Sequence, residues 1–332
     1  MGLKWQVPLQ FDVTEALISS NNRAIEYFAR RDLLKESVEP ISWVWGLPEV
    51  EKMFRSQQVD GSWKHTGEAT VSFPKYHGAL VETWKAYRLL VEQYEVNREL
   101  EGARRASEFL FSCQTEQGDF RGMIANQYAT YYTGAILAIL IKSGFGDDLR
   151  VKKAFDWLLS MRQNDGGWTI PMLTHKLDRQ TLIRLTSSYA EPLELDRSKP
   201  FSHNWTDMVL RAFAVHPKYR RCNEALKAAG LLKSSFFMPD TYSSYQDAGY
   251  WVRFYFWWPN LVTALDSLSL MGYSKDEPDI KKGLNWLIDN QAEDGLWNLS
   301  YADDAKKAVS VKANIERLWL SLRIARILKR FG

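Results

Sequence analysis

The sequence predicts an all-α fold of about six helical hairpins closed into inner and outer helix rings, and three observations carry that prediction. A seven-residue turn recurs four times, a helical period precedes each copy, and a second, more apolar helical pattern follows each one. The turns are Gln57 to Trp63, Gln114 to Phe120, Arg162 to Trp168 and Gln291 to Trp297, which share the pattern Gln-x-x-Asp-Gly-x-Trp with substitutions.

Each turn sits at the C-terminus of a helix. Val50, Met53 and Phe54 precede the first, and Ala106, Phe109, Leu110 and Cys113 the second. Val151, Ala154, Phe155, Leu158 and Leu159 precede the third, and Ile280, Leu284, Leu287 and Ile288 the fourth. The Asp-Gly step supplies a turn that reaches positive φ, the Gln bonds backbone groups left over at the helix end, and the Trp packs over the junction. The second helices are read at His77 to Val91, Tyr128 to Lys142, His203 to Val215, Trp258 to Met271 and Asn314 to Lys329. The long gap before the fourth turn leaves room for one more hairpin whose turn has decayed, with Asn223 to Ser235 as its first helix. An opening helix is read from Thr14 to Arg31. A ring is favoured over an open solenoid because the second helices are the more continuously apolar set, as surrounded helices must be. With no stretch resembling a linker, residues 1–332 are expected to form a single domain.

The turn resembles the QW repeat of squalene-hopene cyclases and the related repeat of protein prenyltransferase β subunits, over about Val50 to Leu328. The resemblance implies an α/α toroid and a divergent member of the terpenoid cyclase and protein prenyltransferase superfamily. It also implies that the repeated Gln, Asp and Trp are structural, because in those families the repeats lie outside the active site. Cyclases of this kind carry an Asp-x-Asp-Asp cluster at an inner helix. Placing Thr206 and Val209 to Ala212 on that pattern puts Asn204 and Trp205 where acids belong, with Asp207 one position further on. The prenyltransferase zinc ligands, an Asp-x-Cys pair and a later His, have no counterpart here. No metal and no cofactor is therefore expected.

Composition narrows the partners. Of 332 residues, 45% are hydrophobic and 25% charged, the balance of an ordinary globular chain, while 14 Trp, 15 Tyr and 16 Phe exceed what packing needs. Their clustering predicts an aromatic-lined cavity or an apolar surface. A net charge of +3 without a basic run gives nucleic acid no electrostatic footing. The longest apolar runs, Tyr131 to Ile141 and Phe254 to Trp258, fall well short of the roughly 20 residues a bilayer crossing needs. Met1 to Phe11 carries Lys4, Gln6, Pro8 and Gln10 and does not read as a signal peptide, so a cytoplasmic location is expected. Cys113 and Cys222 lack the spacing of a disulfide or zinc framework, and His65, His77, His175, His203 and His216 form no i, i+4 metal pair.

Candidate site residues gather at the starts of the inner helices. Tyr76, His77, Tyr128, Tyr131, Tyr132, His203 and Trp205 would converge on one end of a closed ring, and a packed Tyr or Trp with its polar tip satisfied is the competing reading for each. The aromatic stretch Tyr242 to Pro259 adds Tyr250, Trp251, Arg253, Trp257 and Trp258, suited to lining a cavity mouth, to holding a cation against ring faces or to touching a membrane surface. Trp257 and Trp258 are equally read as filling space beside Phe236 and Phe237, where the turn has decayed. Asp207 and Asp247 are the candidate proton donors or acceptors, weighed against a first-turn acid favoured by the helix dipole and a turn former, respectively. Asp303 and Asp304 read as a solvated or capping pair, and Glu316 as a further acid of the last helix.

Functionally, the leading expectation is a terpenoid cyclase-like protein acting on or binding a hydrophobic isoprenoid, through acid-initiated carbocation chemistry if it is catalytic. The alternative is a noncatalytic isoprenoid-binding or scaffold protein on the same toroid. A carbohydrate-active enzyme, which needs paired carboxylates about 5 to 10 Å apart, ranks lower. A prenyltransferase β-like subunit is disfavoured by the absent zinc pattern.

Overall fold

The computed structural model describes residues 9–64, 74–242, 247–254, 257–302 and 310–332. Helices dominate: α1 (Val13–Ile18), α2 (Arg23–Phe28), α3 (Ser42–Trp45), α4 (Pro48–Arg55), α5 (His77–Tyr94), α6 (Glu101–Ser112), α7 (Thr130–Leu140) and α8 (Leu149–Ser160) lead the chain. They are followed by α9 (Arg179–Ser187), α10 (His203–Val215), α11 (Asn223–Ser234), α12 (Leu261–Met271), α13 (Pro278–Asp289) and α14 (Val311–Phe331). One short strand, β1 (Met123–Asn126), interrupts the series. The chain divides into two compact units, Trp45–Ala228 and Met1–Val44 with Ala229–Gly332.

In the Trp45–Ala228 unit, the helices before the turns bury one stripe and those after them are surrounded. On α4 only Val50 is buried, whereas α7 buries ten of its eleven residues and α10 eleven of its thirteen. A helix buried all round has neighbours on every side, which is the position expected of the second helix of each hairpin. Gly134 lets α7 and α10 approach backbone to backbone, since a Cβ there would lie 2.5 Å from the Val209 Cα.

The four turns share one set of bonds, and the polar atoms of the repeated residues explain them. At the first, the Gln57 amide donates to the Gly61 carbonyl at 3.0 Å and to the Gly102 carbonyl, in the first turn of α6, at 2.8 Å. At the second, Gln114 reaches Gly118 and, on α8, the Arg150 carbonyl at 2.9 Å. At the fourth, Gln291 donates to Gly295 and Phe11 and accepts from the Phe11 and Gln10 amides, so it clamps the segment leading into α1. The third turn departs: Arg162 takes the place of Gln and donates to the Gly166 carbonyl, and Gln163 reaches the Asp196 and Lys199 carbonyls of the long connection before α10.

The indoles act at the helix ends. Trp63, Trp168 and Trp297 each donate from Nε1 to the carbonyl ten residues earlier, Met53 at 3.0 Å, Leu158 at 2.7 Å and Leu287 at 2.6 Å. These carbonyls lie in the last turns of α4, α8 and α13, where intrahelical donors run out. The turn glycines have positive φ, and Gly118 and Gly295 meet backbone of another segment: a Cβ on Gly118 would lie 2.5 Å from the Lys153 carbonyl oxygen, and one on Gly295 2.5 Å from that of Asp12.

Helix limits fall close to the expected ones for α5, α10 and α11. The opening helix differs. It is two helices, because Asn22 caps α2 by accepting from the Ile25 amide and Asn21 turns left-handed at φ 58°. The helix expected from Trp258 begins at Leu261, where Asn260 and Thr263 form a capping box. The sequence reading places no element at α9 or β1.

Replacing Gly118 by Ala forces both the positive φ and the Lys153 contact, and is expected to cost at least about 2 kcal/mol in urea unfolding. Trp168→Phe, which removes the indole N–H and leaves a cavity at a fully buried position, is expected to cost about 2 kcal/mol or more. An unchanged midpoint for Gly118→Ala would show that the turn does not hold the adjacent helices together.

Candidate functional site

The Trp45–Ala228 unit brings four aromatic side chains into one file. Trp84 of α5 meets Tyr132 edge to face with centroids 5.2 Å apart, Tyr132 lies 4.3 Å from Tyr131, and Tyr131 lies 4.5 Å from Trp205 of α10. Three helices contribute, and the close α7–α10 approach at Gly134 sets the last step. Trp84, Tyr131 and Trp205 are buried, while Tyr132 is half-buried. The Arg88 guanidinium, one turn along α5, lies 4.5 Å from the Trp84 ring centroid, a cation placed on a π face. Trp84 and Arg88 lie further along α5, away from the helix starts and the Tyr242 to Pro259 stretch from which the sequence nominates site residues.

Tyr76, His77 and Tyr128 belong to a second group around the turn after Phe120. His77 donates from Nδ1 to the Gly122 carbonyl at 2.5 Å, and Tyr76 packs so closely that a Cβ on Gly122 would meet its ring at 2.8 Å. Burial pushes the Tyr76 phenol up to about 12. Tyr128 contacts Trp157 at 5.9 Å and carries the Arg121 guanidinium 4.6 Å from its ring centre. Arg121 in turn bonds the wholly buried Asp119 at 2.6 Å, the Asn126 carbonyl at 3.1 Å and Gln117 at 3.2 Å. Thr115 Oγ1 completes the Asp119 shell. Asp119 holds the variable position of the second turn, where Ser62, Gly167 and Leu296 stand in the other three. Within the four repeated turns it is the buried acid, and the repeat pattern conceals it.

Asp207 is buried and forms an ion pair with Arg211, one turn along α10, at 2.6 Å. It stands two residues from Trp205, about 200° around the helix, so the two side chains leave on opposite sides. His203 and Asn204 are buried in the first turn of α10, which Ser202 caps. Thr206, between them and Asp207, accepts from the Trp168 amide at 2.9 Å and donates to the Trp168 carbonyl at 3.2 Å.

In the other unit the predicted residues have separate surroundings. Asp247 is exposed and caps a short 3-10 turn, accepting from the Gly249 amide at 2.8 Å, with Arg253 at 3.9 Å. Arg253 lies 4.3 Å over the Tyr250 ring, and the segment is fastened by the Phe254 amide to the Leu299 carbonyl at 2.7 Å. Trp251 packs at the decayed turn: it meets Phe236 at 5.2 Å and donates to the Met238 carbonyl. Trp257 and Trp258 contact each other at 4.6 Å. Asp303, Asp304, His65 and Tyr245 lie outside the described residues. Among the described residues no three His, Cys, Asp or Glu side chains gather as a metal site, and no helix is long and apolar enough to cross a membrane.

The sequence comparison falls on α7 and most of α5, which supply three of the four rings of the aromatic file, and stops short of Trp205. Residues 83–189 match the prenyltransferase alpha-alpha toroid domain, so the toroid resemblance read from the turns is borne out. No curated protein matches the chain. Among solved structures, a protein from Actinoplanes is similar at 14% identity and a TM-score of 0.44, covering 96% of this chain and 88% of that one. The type II terpene cyclase MstE from Scytonema, in its apo form, is similar at 12% identity and a TM-score of 0.31, covering 87% and 97%. A variant of that cyclase in complex with geranylgeranyl dihydroxybenzoate gives 12% identity and 0.33, covering 88% and 97%.

Thr206→Val preserves shape and removes the hydroxyl that receives the Trp168 amide, so it is expected to cost about 1 to 3 kcal/mol in chemical unfolding, whereas Thr206→Ser retains most of the stability. Equal losses in the two variants would assign the effect to packing instead.

Proposed function

We propose that this protein binds a hydrophobic isoprenoid against the aromatic file of α5, α7 and α10. The contiguous ring contacts from Trp84 through Tyr132 and Tyr131 to Trp205 are the observation that carries the reading. Flat, polarisable faces suit a chain of branched alkene units, which offers dispersion contact and no strong hydrogen-bonding groups. The toroid domain match over residues 83–189 supports the same reading, since it spans α7 and most of α5.

Binding without chemistry is favoured over acid-initiated cyclisation. Proton donation to an alkene needs a carboxylic acid aimed at the chain. Asp207 leaves α10 on the side away from Trp205 and is engaged by Arg211, and Asp247 is an exposed turn cap. One observation keeps cyclisation as the second reading: Asp207 is almost wholly buried in the helix that supplies Trp205.

Titration with geranylgeraniol followed by tryptophan fluorescence is expected to show saturable binding that Trp205→Ala weakens roughly tenfold, the loss of one well-packed aromatic contact. Absence of binding by geranylgeraniol and by squalene would overturn the proposal. Incubation with squalene and linear prenyl diphosphates separates the two readings: a cyclic product that disappears in Asp207→Asn establishes the catalytic one.

A further inference from the structure

In the Met1–Val44 and Ala229–Gly332 unit, the C-terminal helix has a one-sided charge balance, six cations against one acid. Arg323, Arg326 and Arg330 follow at i, i+3 and i+7, which places them on one face of α14, with Lys329 beside them. On one side that face meets Asp266 of α12. Arg323 reaches its carboxylate at 2.8 Å, and Arg330 bonds the same group while donating to Ser269 Oγ at 2.9 Å. On the other side it meets the π-helical turn Ala29–Leu34 that continues α2. There Asp32 is shared by Arg326 at 2.7 Å and Arg31 at 2.6 Å, and Lys329 donates to the Leu33 carbonyl at 2.7 Å. Both guanidiniums also lie over the ring of Phe28, at 4.7 and 4.9 Å. Lys35 follows on the same turn, left-handed at φ 58°.

Six cations, Arg31, Lys35, Arg323, Arg326, Lys329 and Arg330, thus surround two carboxylates. Each carboxylate is divided between two guanidiniums, so neither neutralises its surroundings. Burial, with a smaller contribution from the charge of Lys35 and against the pull of Asp32, pushes the Lys329 ammonium below its ordinary range. Caps for helix carbonyls would explain one or two of these side chains. They account for Lys329, which donates to the last carbonyls of the helical stretch Ala29–Leu34, but not for two guanidiniums held on one ring. Arg323, Arg326 and Arg330 keep a fifth to a third of their side-chain surface open, which leaves the stripe within reach of a ligand.

We propose that this stripe is an anion site for a phosphate or diphosphate group, the chemistry that matches several guanidinium forks and an ammonium at once. The group could be supplied by a soluble phosphorylated compound or by a lipid headgroup. The proposal is independent of the isoprenoid reading, since it concerns other residues and a charged ligand.

Calorimetric titration of the full chain at low salt with inorganic pyrophosphate, and sedimentation with phosphatidylcholine vesicles with and without phosphatidylglycerol, test it. Binding of pyrophosphate that weakens roughly tenfold in Arg330→Gln and in the exposed Lys35→Gln is the expected result, and assigns a soluble ligand. Sedimentation that depends on phosphatidylglycerol and is lost in both variants supports the same site with a lipid source. The absence of both kinds of binding, or binding that both variants retain at full strength, overturns the proposal. Lys35→Gln removes no ion pair of the folded chain that bears on Asp32 or Asp266, so a loss of binding in it cannot be ascribed to unfolding if its thermal midpoint is unchanged.

Discussion

The bond on which the fold turns runs from the backbone amide of the last residue of each repeated turn to a hydroxyl on a surrounded helix. The Trp63 amide donates to Thr83 at 3.0 Å, Phe120 to Thr133 at 3.1 Å, Trp168 to Thr206 at 2.9 Å and Trp297 to Ser321 at 2.9 Å. Each is a buried amide that would otherwise have lost water without replacement, at a cost of about 1 to 3 kcal/mol. The chain has just left one helix and must enter the next at a set depth and angle. The amide fixes where the turn touches the second helix, the Gln or Arg side chain fixes its curvature, and the indole fixes the end of the first. In each turn the hydroxyl is the part that comes from elsewhere in the chain.

Asymmetry among the four turns follows from what each one grips. The first and second hold the opening turn of the next outer helix, and so set successive hairpins at a regular spacing. The third grips the connection before α10 instead, because residues 169–202 intervene, and the Lys227 stem of α11 covers Gly166. The fourth holds the segment before α1, across 280 residues of sequence. One local motif therefore performs a sequential task twice, a loop-anchoring task once and a chain-end task once, while its internal bonds stay nearly the same.

This explains which parts were legible in the sequence. Positive-φ glycines, last-turn carbonyls and 3.6-residue periods are local properties, so the turns and helices at Gln57, Gln114 and Gln291 and at His203 to Val215 could be read from neighbouring residues. The hydroxyls could not, because Thr83, Thr133, Thr206 and Ser321 stand 20, 13, 38 and 24 residues from the amides they serve. A search at one fixed spacing misses a partner whose distance depends on the length of the intervening loop. The break at Asn21 was hidden for a different reason: its apolar period continues through α1 and α2, and only the caps interrupt the helix.

The site was half legible for a related reason. Tyr131, Tyr132 and Trp205 stand at the starts of adjacent helices, where proximity follows from hairpin order alone. Trp84 enters the file from the second turn of α5, and its contact depends on how far α7 slides along α5, a tertiary quantity. Acids are harder still, because their meaning lies in their neighbours. Asp207, Asp119 and Asp247 are the same side chain in sequence, yet one pairs within its helix, one is locked into a turn by Arg121 and Thr115, and one caps a surface turn. Each pairing places the carboxylate where its own backbone segment needs it. An acid held this way serves the segment that carries it, and that service depends on partners which the residue type alone does not disclose.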